Sequence, residues 1–383
     1  LTSLIRDLAA GSAAMSAVFS DETLIAGALR FEAALARASA AEGCIPTPAA
    51  AVIARTCAEA SFEIPVLAEE AAHAGTLAIP LVRRLRELVA ARDESAAAFV
   101  HFGATSQDLA DTALMIQAKA GADLIRNDGA ALRDALAVLA QSHAETPMLG
   151  RTLLQGALPI TLGLKAAQWL LGVDAGLRRF NREAGEAVAC QLGGAVGTLA
   201  GLDPAVATRL AADLGLAAPP LPWHARRDGV AGLSASLAIL TGAVGKIAQD
   251  VSLLAQGEVG EAREPLIEGR GGSSAMAHKR NPTGCQVALS AALRAPALAS
   301  AVMSGLPQEH ERGLGGWQAE GPQLATLFEL AHGALLAMTP VIAGLDIDAE
   351  AMLSNLAAAE VGYDVGHAIA MTHAAIAFAR RDA

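Results

Sequence analysis

Between Gly269 and Pro282 the chain reads GRGGSSAMAHKRNP, which gathers Ser273, Ser274, His278, Lys279, Asn281 and two arginines into one short stretch. Gly271 and Gly272 allow backbone angles that other residues resist, and Pro282 suits the first turn of a following helix. A mobile, cationic, hydroxyl-bearing loop that leads into a helix N-terminus could close over an anion and bring a serine to it. An ordinary glycine-rich linker has the same composition, so the other polar segments must decide.

Four such segments interrupt an Ala/Leu background. His101 to Asp108 (HFGATSQD) sets Thr105 and Ser106 just before a long helix; Ser106 alone could serve as its cap, which leaves Thr105 and His101 in surplus. Gly150 to Gln155 (GRTLLQ) offers Arg151, Thr152 and Gln155 between two long helices, with a polar interhelix turn as the plain alternative. Pro222 to Asp228 (PWHARRD) puts His224 and two arginines before another long helix, with Asp228 as the expected cap. Gln308 to Arg312 (QEHER) stands in a Gly-rich turn near Trp317, where a solvated charge run is the simpler account. The scattered His143, His332, His367 and His373 read as structural or surface groups.

These segments need a rigid frame, and the composition says what kind. Hydrophobic residues are 53% of the 383 positions but aromatics only 3%, so Ala and Leu build the core. Ala is the best helix former and permits close helix contact, which predicts an all-α fold. No proline interrupts Ser106 to about Glu145, a helix on the order of 60 Å long at ~1.5 Å per residue. Further long helices are expected from Pro159 to about Val188, Asp228 to about Gln256, Pro282 to about Ser304 and Gln318 to about Ala343. Several are apolar on most faces and must be surrounded, which implies an elongated central bundle whose remaining apolar faces pack on other subunits. Short helices from Ser20 to Gly43, from Thr47 and from Pro80 precede it. The expected division is an N-terminal helical domain at 1–105, the bundle at 106–345 and a short C-terminal helical domain at 346–383. Because the polar segments fall at the ends of long helices, they cannot all meet within one chain. Neighbouring chains could bring opposite ends together, so a site shared between subunits is expected.

The formal charge of -11 and the lack of a Lys/Arg run exclude nucleic acid as a partner. A small anion remains compatible, because the field within a pocket matters more than the total charge. The longest charge-free run, Gly229 to Gly245, is too short to span a bilayer, so no membrane partner is expected. Arg6 and Asp7 break the apolar N-terminus, which argues against a signal peptide. Cys44, Cys57, Cys190 and Cys285 lie far apart without CxxC spacing, so neither a zinc site nor a disulfide framework is expected, and a reducing cytoplasm is the simplest home.

Taken in order, these segments resemble the fumarase/aspartase superfamily of all-α homotetrameric lyases, over about Phe19 to Leu356. GATSQDLADT (Gly103 to Thr112) resembles its first region. GRTLLQGALPITLG (Gly150 to Gly163) with QLGGAVGT (Gln191 to Thr198) resembles its second, and GRGGSSAMAHKRNP its signature loop. The resemblance implies that Ser273 exchanges the carbon-bound proton next to a carboxylate and that Lys279 and Asn281 hold that carboxylate and stabilise its enolate form. Thr105 and Ser106 match the family's carboxylate-binding hydroxyls; Arg151, Thr152, Gln155, His101, His224 and Arg312 are expected to bind the rest of a small carboxylate substrate, and the scheme requires no metal or organic cofactor.

Two departures qualify the resemblance. Ala277 replaces a proline usual in the signature loop, and Leu153 stands where most members have a histidine that protonates the departing amine or hydroxide. A carboxylate, with a conjugate-acid pKa of about 4, can leave or attack without that proton. Together with AAHAGTLAIPLV (Ala71 to Val82), PWHARRD and QEHERGLGGWQAE, this implies the lactonising branch, intramolecular lyases (cycloisomerases) of aromatic-compound breakdown acting on a tricarboxylate. The alternatives are a C–N or C–O lyase of the adenylosuccinate lyase kind and a non-catalytic structural homologue.

Overall fold

The structure is a computed structural model that describes residues 4–272, 276 and 279–381. Two short helices, α1 (Leu4–Asp7) and α2 (Ala13–Val18), precede α3 (Asp21–Ala41). Ser20 caps α3 by accepting from the Thr23 N–H, and Asp21 and Glu22 complement the helix dipole in the first turn. Then follow α4 (Thr47–Glu59), α5 (Ile64–Ala74), α6 (Ala78–Ala90) and the single turn α7 (Glu94–Ala97). Helix α6 starts two residues ahead of the expected Pro80, since proline is tolerated anywhere in a first turn whose N–H groups have no intrahelical partner.

The longest element is α8 (Ser106–Ser142), whose 37 residues run about 55 Å at ~1.5 Å each. Its N-cap is Thr105, one residue before the serine expected there. Next comes a departure from an all-helical reading: β1 (Pro147–Thr152) and β2 (Gln155–Thr161) form an antiparallel hairpin that closes with Thr152 opposite Gln155. Pro159, expected to open a helix, lies in β2 opposite Leu149. A two-stranded ribbon has free edges where a missing N–H is tolerated. Helix α9 (Leu162–Ala187) begins only afterwards, capped by Thr161 accepting from the Leu164 N–H.

The remaining elements are α10 (Ala205–Leu214), α11 (Asp228–Leu254), β3 (Ala262–Arg263), α12 (Thr283–Ser304), α13 (Gly316–Ala343), β4 (Asp346–Ile347), α14 (Ala349–Ala358) and α15 (Ala368–Ala379). Arg227, not Asp228, is the N-cap of α11. Helices α8, α9, α11, α12 and α13 form the bundle. Arg227 joins Asp111 of α8 to Glu320 of α13, so α8, α11 and α13 start at one end. Helix α9 starts against the last turn of α8, and α12 starts against Val341 near the end of α13, so these two run the other way. Small residues set the spacing: a Cβ on Gly245 of α11 would lie 2.4 Å from the Cβ of Ala292 on α12. Leu109, Ile125, Phe180, Leu237, Val244 and Phe328 fill the interior with no exposed surface.

By length and composition α11, α12 and α13 are each apolar enough to cross a membrane. In the most apolar stretches of α11 and α13, 61% and 72% is buried inside the bundle, whereas α12 buries only 28%. Helix α12 therefore leaves an apolar face, with Leu293 and Met303, on the outside.

Candidate active site

Five of the expected site residues gather where α8, α11 and α13 begin. Asp108, in the first turn of α8, is fully buried and accepts from the Thr105 N–H at 2.9 Å, Gly193 N–H at 2.9 Å, Gly194 N–H at 3.0 Å and His224 Nε2 at 2.7 Å. One carboxylate thus pins the Thr105 turn, the glycine loop after α9 and the segment before α11. Gly194 has φ +72, and a Cβ there would lie 2.7 Å from the Gly103 carbonyl oxygen, so only glycine lets the two loops approach. The guanidinium of Arg312 donates to the carbonyls of Gly194 at 3.2 Å and Ala195 at 2.9 Å.

Thr105 and Ser106 are half-buried at this end. His224 is only 3% exposed, and its Nε2 is committed to Asp108. His101, with φ 61, bonds through Nδ1 to Glu32 Oε1 at 2.5 Å. Burial opposes charge on this imidazole, but the charge and hydrogen bond of Glu32, aided by Asp108, outweigh it and raise the pKa above its ordinary value.

Beneath these groups lies a satisfied polar layer. Arg227 donates to both oxygens of Asp111 at 2.8 and 2.9 Å, bonds Glu320, and lies 4.6 Å from the centre of the Trp223 ring. Burial disfavours its charge, yet the two carboxylates push its pKa up. A cavity of about 570 Å³ opens beside this layer, lined by Leu109, Asp111, Leu114, Trp317, Gln318 and Arg294 among others.

The other expected residues stand at the opposite end. Arg151 in β1 makes a two-bond pair with Glu261, at 2.7 and 2.8 Å, and Asn355 of α14 donates to the same carboxylate. Arg151 was expected to grip substrate, but its charge is already matched by a buried partner. Thr152 and Gln155 are exposed at the hairpin tip, flanking Leu153 and Leu154, which are 95% and 78% exposed. The signature loop leads into α12 at this end too. Asn281 donates its backbone N–H to Gly271 O at 2.9 Å and its side-chain amide to Gly272 O at 3.2 Å, and lines an open cleft of about 760 Å³ with Gln286 and Arg294. Lys279 is exposed. Ser273 and His278 lie outside the described residues.

The structure therefore groups His101, Thr105, Ser106, His224 and Arg312 at one end of a bundle about 55 Å long by the ~1.5 Å rise, and Arg151, Thr152, Gln155, Lys279 and Asn281 at the other. The sequence reading overlooked Asp108, Glu32 and Glu261. Asp108 had a signal, since an acid three residues after a threonine is a capping pattern. Glu32 and Glu261 are single carboxylates on or after Ala/Leu-rich helices, and only the fold sets them against His101 and Arg151.

Comparison with known proteins places this architecture. The lyase family model matches residues 9–296. The chain belongs to this lyase family, within the fumarase/aspartase superfamily. The lyase is 46% identical over 366 residues to the 3-carboxy-cis,cis-muconate cycloisomerase of Bradyrhizobium diazoefficiens, a match covering 95% of this chain and 80% of the relative. It is 42% identical over 364 residues to a nitrosuccinate lyase of Streptomyces davaonensis, covering 92% of this chain and 76% of that one. The crystal structure of the 3-carboxy-cis,cis-muconate lactonizing enzyme from Pseudomonas putida superposes with a TM-score of 0.88 at 38% identity, covering 99% of this lyase and 88% of that chain.

Proposed function

We propose that this lyase is a 3-carboxy-cis,cis-muconate cycloisomerase, closing a tricarboxylate diene into 4-carboxymuconolactone during protocatechuate breakdown in the cytoplasm. The observation that carries the reading is Leu153. It stands at the fully exposed hairpin tip where a proton-donating histidine would otherwise be, in a chain whose relatives of this name reach 46% identity.

In the reaction one substrate carboxylate oxygen adds to the conjugated double bond, and the displaced electron pair moves toward the neighbouring carboxylate as an enolate. The attack is intramolecular and needs positioning more than an activated nucleophile. Lys279, Asn281 and backbone N–H groups of the signature loop stabilise the enolate as an oxyanion hole does. The Ser273 hydroxyl delivers the proton to carbon and is reprotonated from solvent. Thr105, Ser106 and Arg312 take the remaining carboxylates. Arg151, neutralised by Glu261, fixes the hairpin that carries Thr152, Leu153 and Gln155.

These groups come from both ends of the bundle, so the reading requires a homotetramer in which hairpin, signature loop and Thr105 turn of different subunits converge. The uncovered apolar face of α12 supports such packing. The division at residues 105 and 345 then separates the small helical domains from the assembling bundle.

The 42% identity to a nitrosuccinate lyase favours one second reading, elimination from a succinate whose leaving group is as weakly basic as a carboxylate. Such a group also needs no acid at position 153. The deciding experiment offers both substrates. Loss of the diene absorbance of 3-carboxymuconate with lactone formation is expected; nitrite release from nitrosuccinate with no lactone would select the second reading. Ser273→Ala is expected to leave the assembled fold intact and lower turnover by about 10²-fold or more, the usual scale for an acid–base group; near-normal turnover would remove Ser273 from the mechanism.

A further inference from the structure

We propose that Asp108 is a positioning residue, which through its four hydrogen bonds places two carboxylate-binding groups from distant parts of the chain, Thr105 and Arg312, in one site. The inference rests on the reading of that end as a carboxylate site. An ionised carboxylate offers acceptors only, about four lone-pair positions, and all four are used here: three by backbone N–H groups and one by His224 Nε2. The link to Arg312 is direct. Asp108 holds the N–H groups of Gly193 and Gly194, and the carbonyls of Gly194 and Ala195 receive the Arg312 guanidinium. Both of those bonds come from Arg312 Nη2, so the end of the side chain is fixed by the loop that Asp108 holds, while its buried Nε has no hydrogen-bond partner among the described residues.

The surroundings allow little adjustment. A Cβ on Gly193 would lie 2.7 Å from Pro222 and 2.8 Å from the His224 ring, and one on Gly194 would strike the Gly103 carbonyl. Three chain segments are thus packed backbone to backbone around one buried carboxyl group, where hydrogen bonds are costly to break. Asp108 is out of reach of a ligand at 0% exposure, so its influence passes through what it holds. His224, in the same account, supplies a hydrogen-bond donor and no proton to the reaction.

The test separates placement from chemistry. Turnover of 3-carboxymuconate by the wild-type enzyme checks the functional reading by itself, and amide hydrogen exchange follows the loop whether or not that substrate is turned over. Asp108→Asn, which turns one acceptor oxygen into a donor facing N–H groups, is expected to speed exchange at Gly193 to Ala195. It is also expected to raise KM about tenfold or more while kcat changes less, the signature of lost ground-state binding. His224→Gln keeps a donor near the Nε2 position and is expected to raise KM less than His224→Leu does. Unaltered exchange and KM in Asp108→Asn would overturn the assignment. So would an equal collapse of kcat in both His224 variants, which would make the imidazole a proton carrier. Should Asp108→Asn fail to assemble, the His224 pair still decides.

Discussion

Leu153 and Leu154 close the hairpin with φ 51 and 65, left-handed angles that cost a branched, non-glycine side chain about 1 kcal/mol each, and both expose their methyl groups to solvent. Asn-Gly is the favoured pair for a two-residue turn with both central φ positive. The double variant Leu153→Asn, Leu154→Gly is expected to stabilise the fold by roughly 1–2 kcal/mol in chemical denaturation. It is also expected to lower kcat/KM about tenfold, because strain kept at an exposed tip marks a place where the side chains work. A variant both stabler and fully active would make the leucines incidental. His101 has the opposite character, a charge held by the buried Glu32. Its pKa is raised in the folded state, so the pair stabilises fully below the unfolded value of about 6.5, and that contribution is lost as pH rises through the folded pKa. The stability difference between wild type and His101→Gln should accordingly be largest in mild acid and shrink toward alkaline pH in a series of urea titrations.

At the scale of elements, Arg227 is the bolt that makes α8, α11 and α13 start together. Its side chain is almost wholly buried between Asp111, Glu320 and the Trp223 ring. Burial pushes the Glu320 carboxyl upward while Arg227 pulls it back, so removal of the guanidinium leaves two carboxylates with no counter-charge. Arg227→Ala is expected to cost about 3–5 kcal/mol in denaturant unfolding, the range for breaking a buried pair. A loss under 1 kcal/mol would mean that water replaces it easily. The hairpin is the second element that matters, since Arg151 and Glu261 tie it to the chain after α11 while its tip stays exposed.

At the scale of the molecule, the proposal is a site built from more than one chain, because its described residues stand at opposite ends of the bundle. Mixing subunits that carry Thr105→Val and Ser106→Ala with subunits that carry Lys279→Ala should restore activity after dissociation and reassembly. About a quarter of the sites in an equal mixture then combine two unaltered contributions, if these come from different subunits of a symmetric oligomer. Activity no higher than that of either parent would place both groups in one subunit's site.

Much of this was legible in the sequence because it depends on short-range order. Alanine richness and uninterrupted periodicity set the long helices within a few residues, and Ser20 and the Thr105 to Asp108 segment marked where helices begin. The family's motifs were legible too, and with the absence of histidine at position 153 they pointed to the lactonising branch, whose members are among the chain's relatives. The hairpin was not legible, because Pro159 suits a helix start as well as a ribbon edge, and its pairing across Leu149 is a contact between strands. Nor was the difference between an arginine that can meet a substrate and one already neutralised, as Arg151 is by Glu261 from 110 positions away. Sequence determines which groups can form hydrogen bonds and which helices they sit on. Only the packed structure decides which of those bonds the protein uses on itself, because a buried charge takes whatever partner the fold brings within about 3 Å.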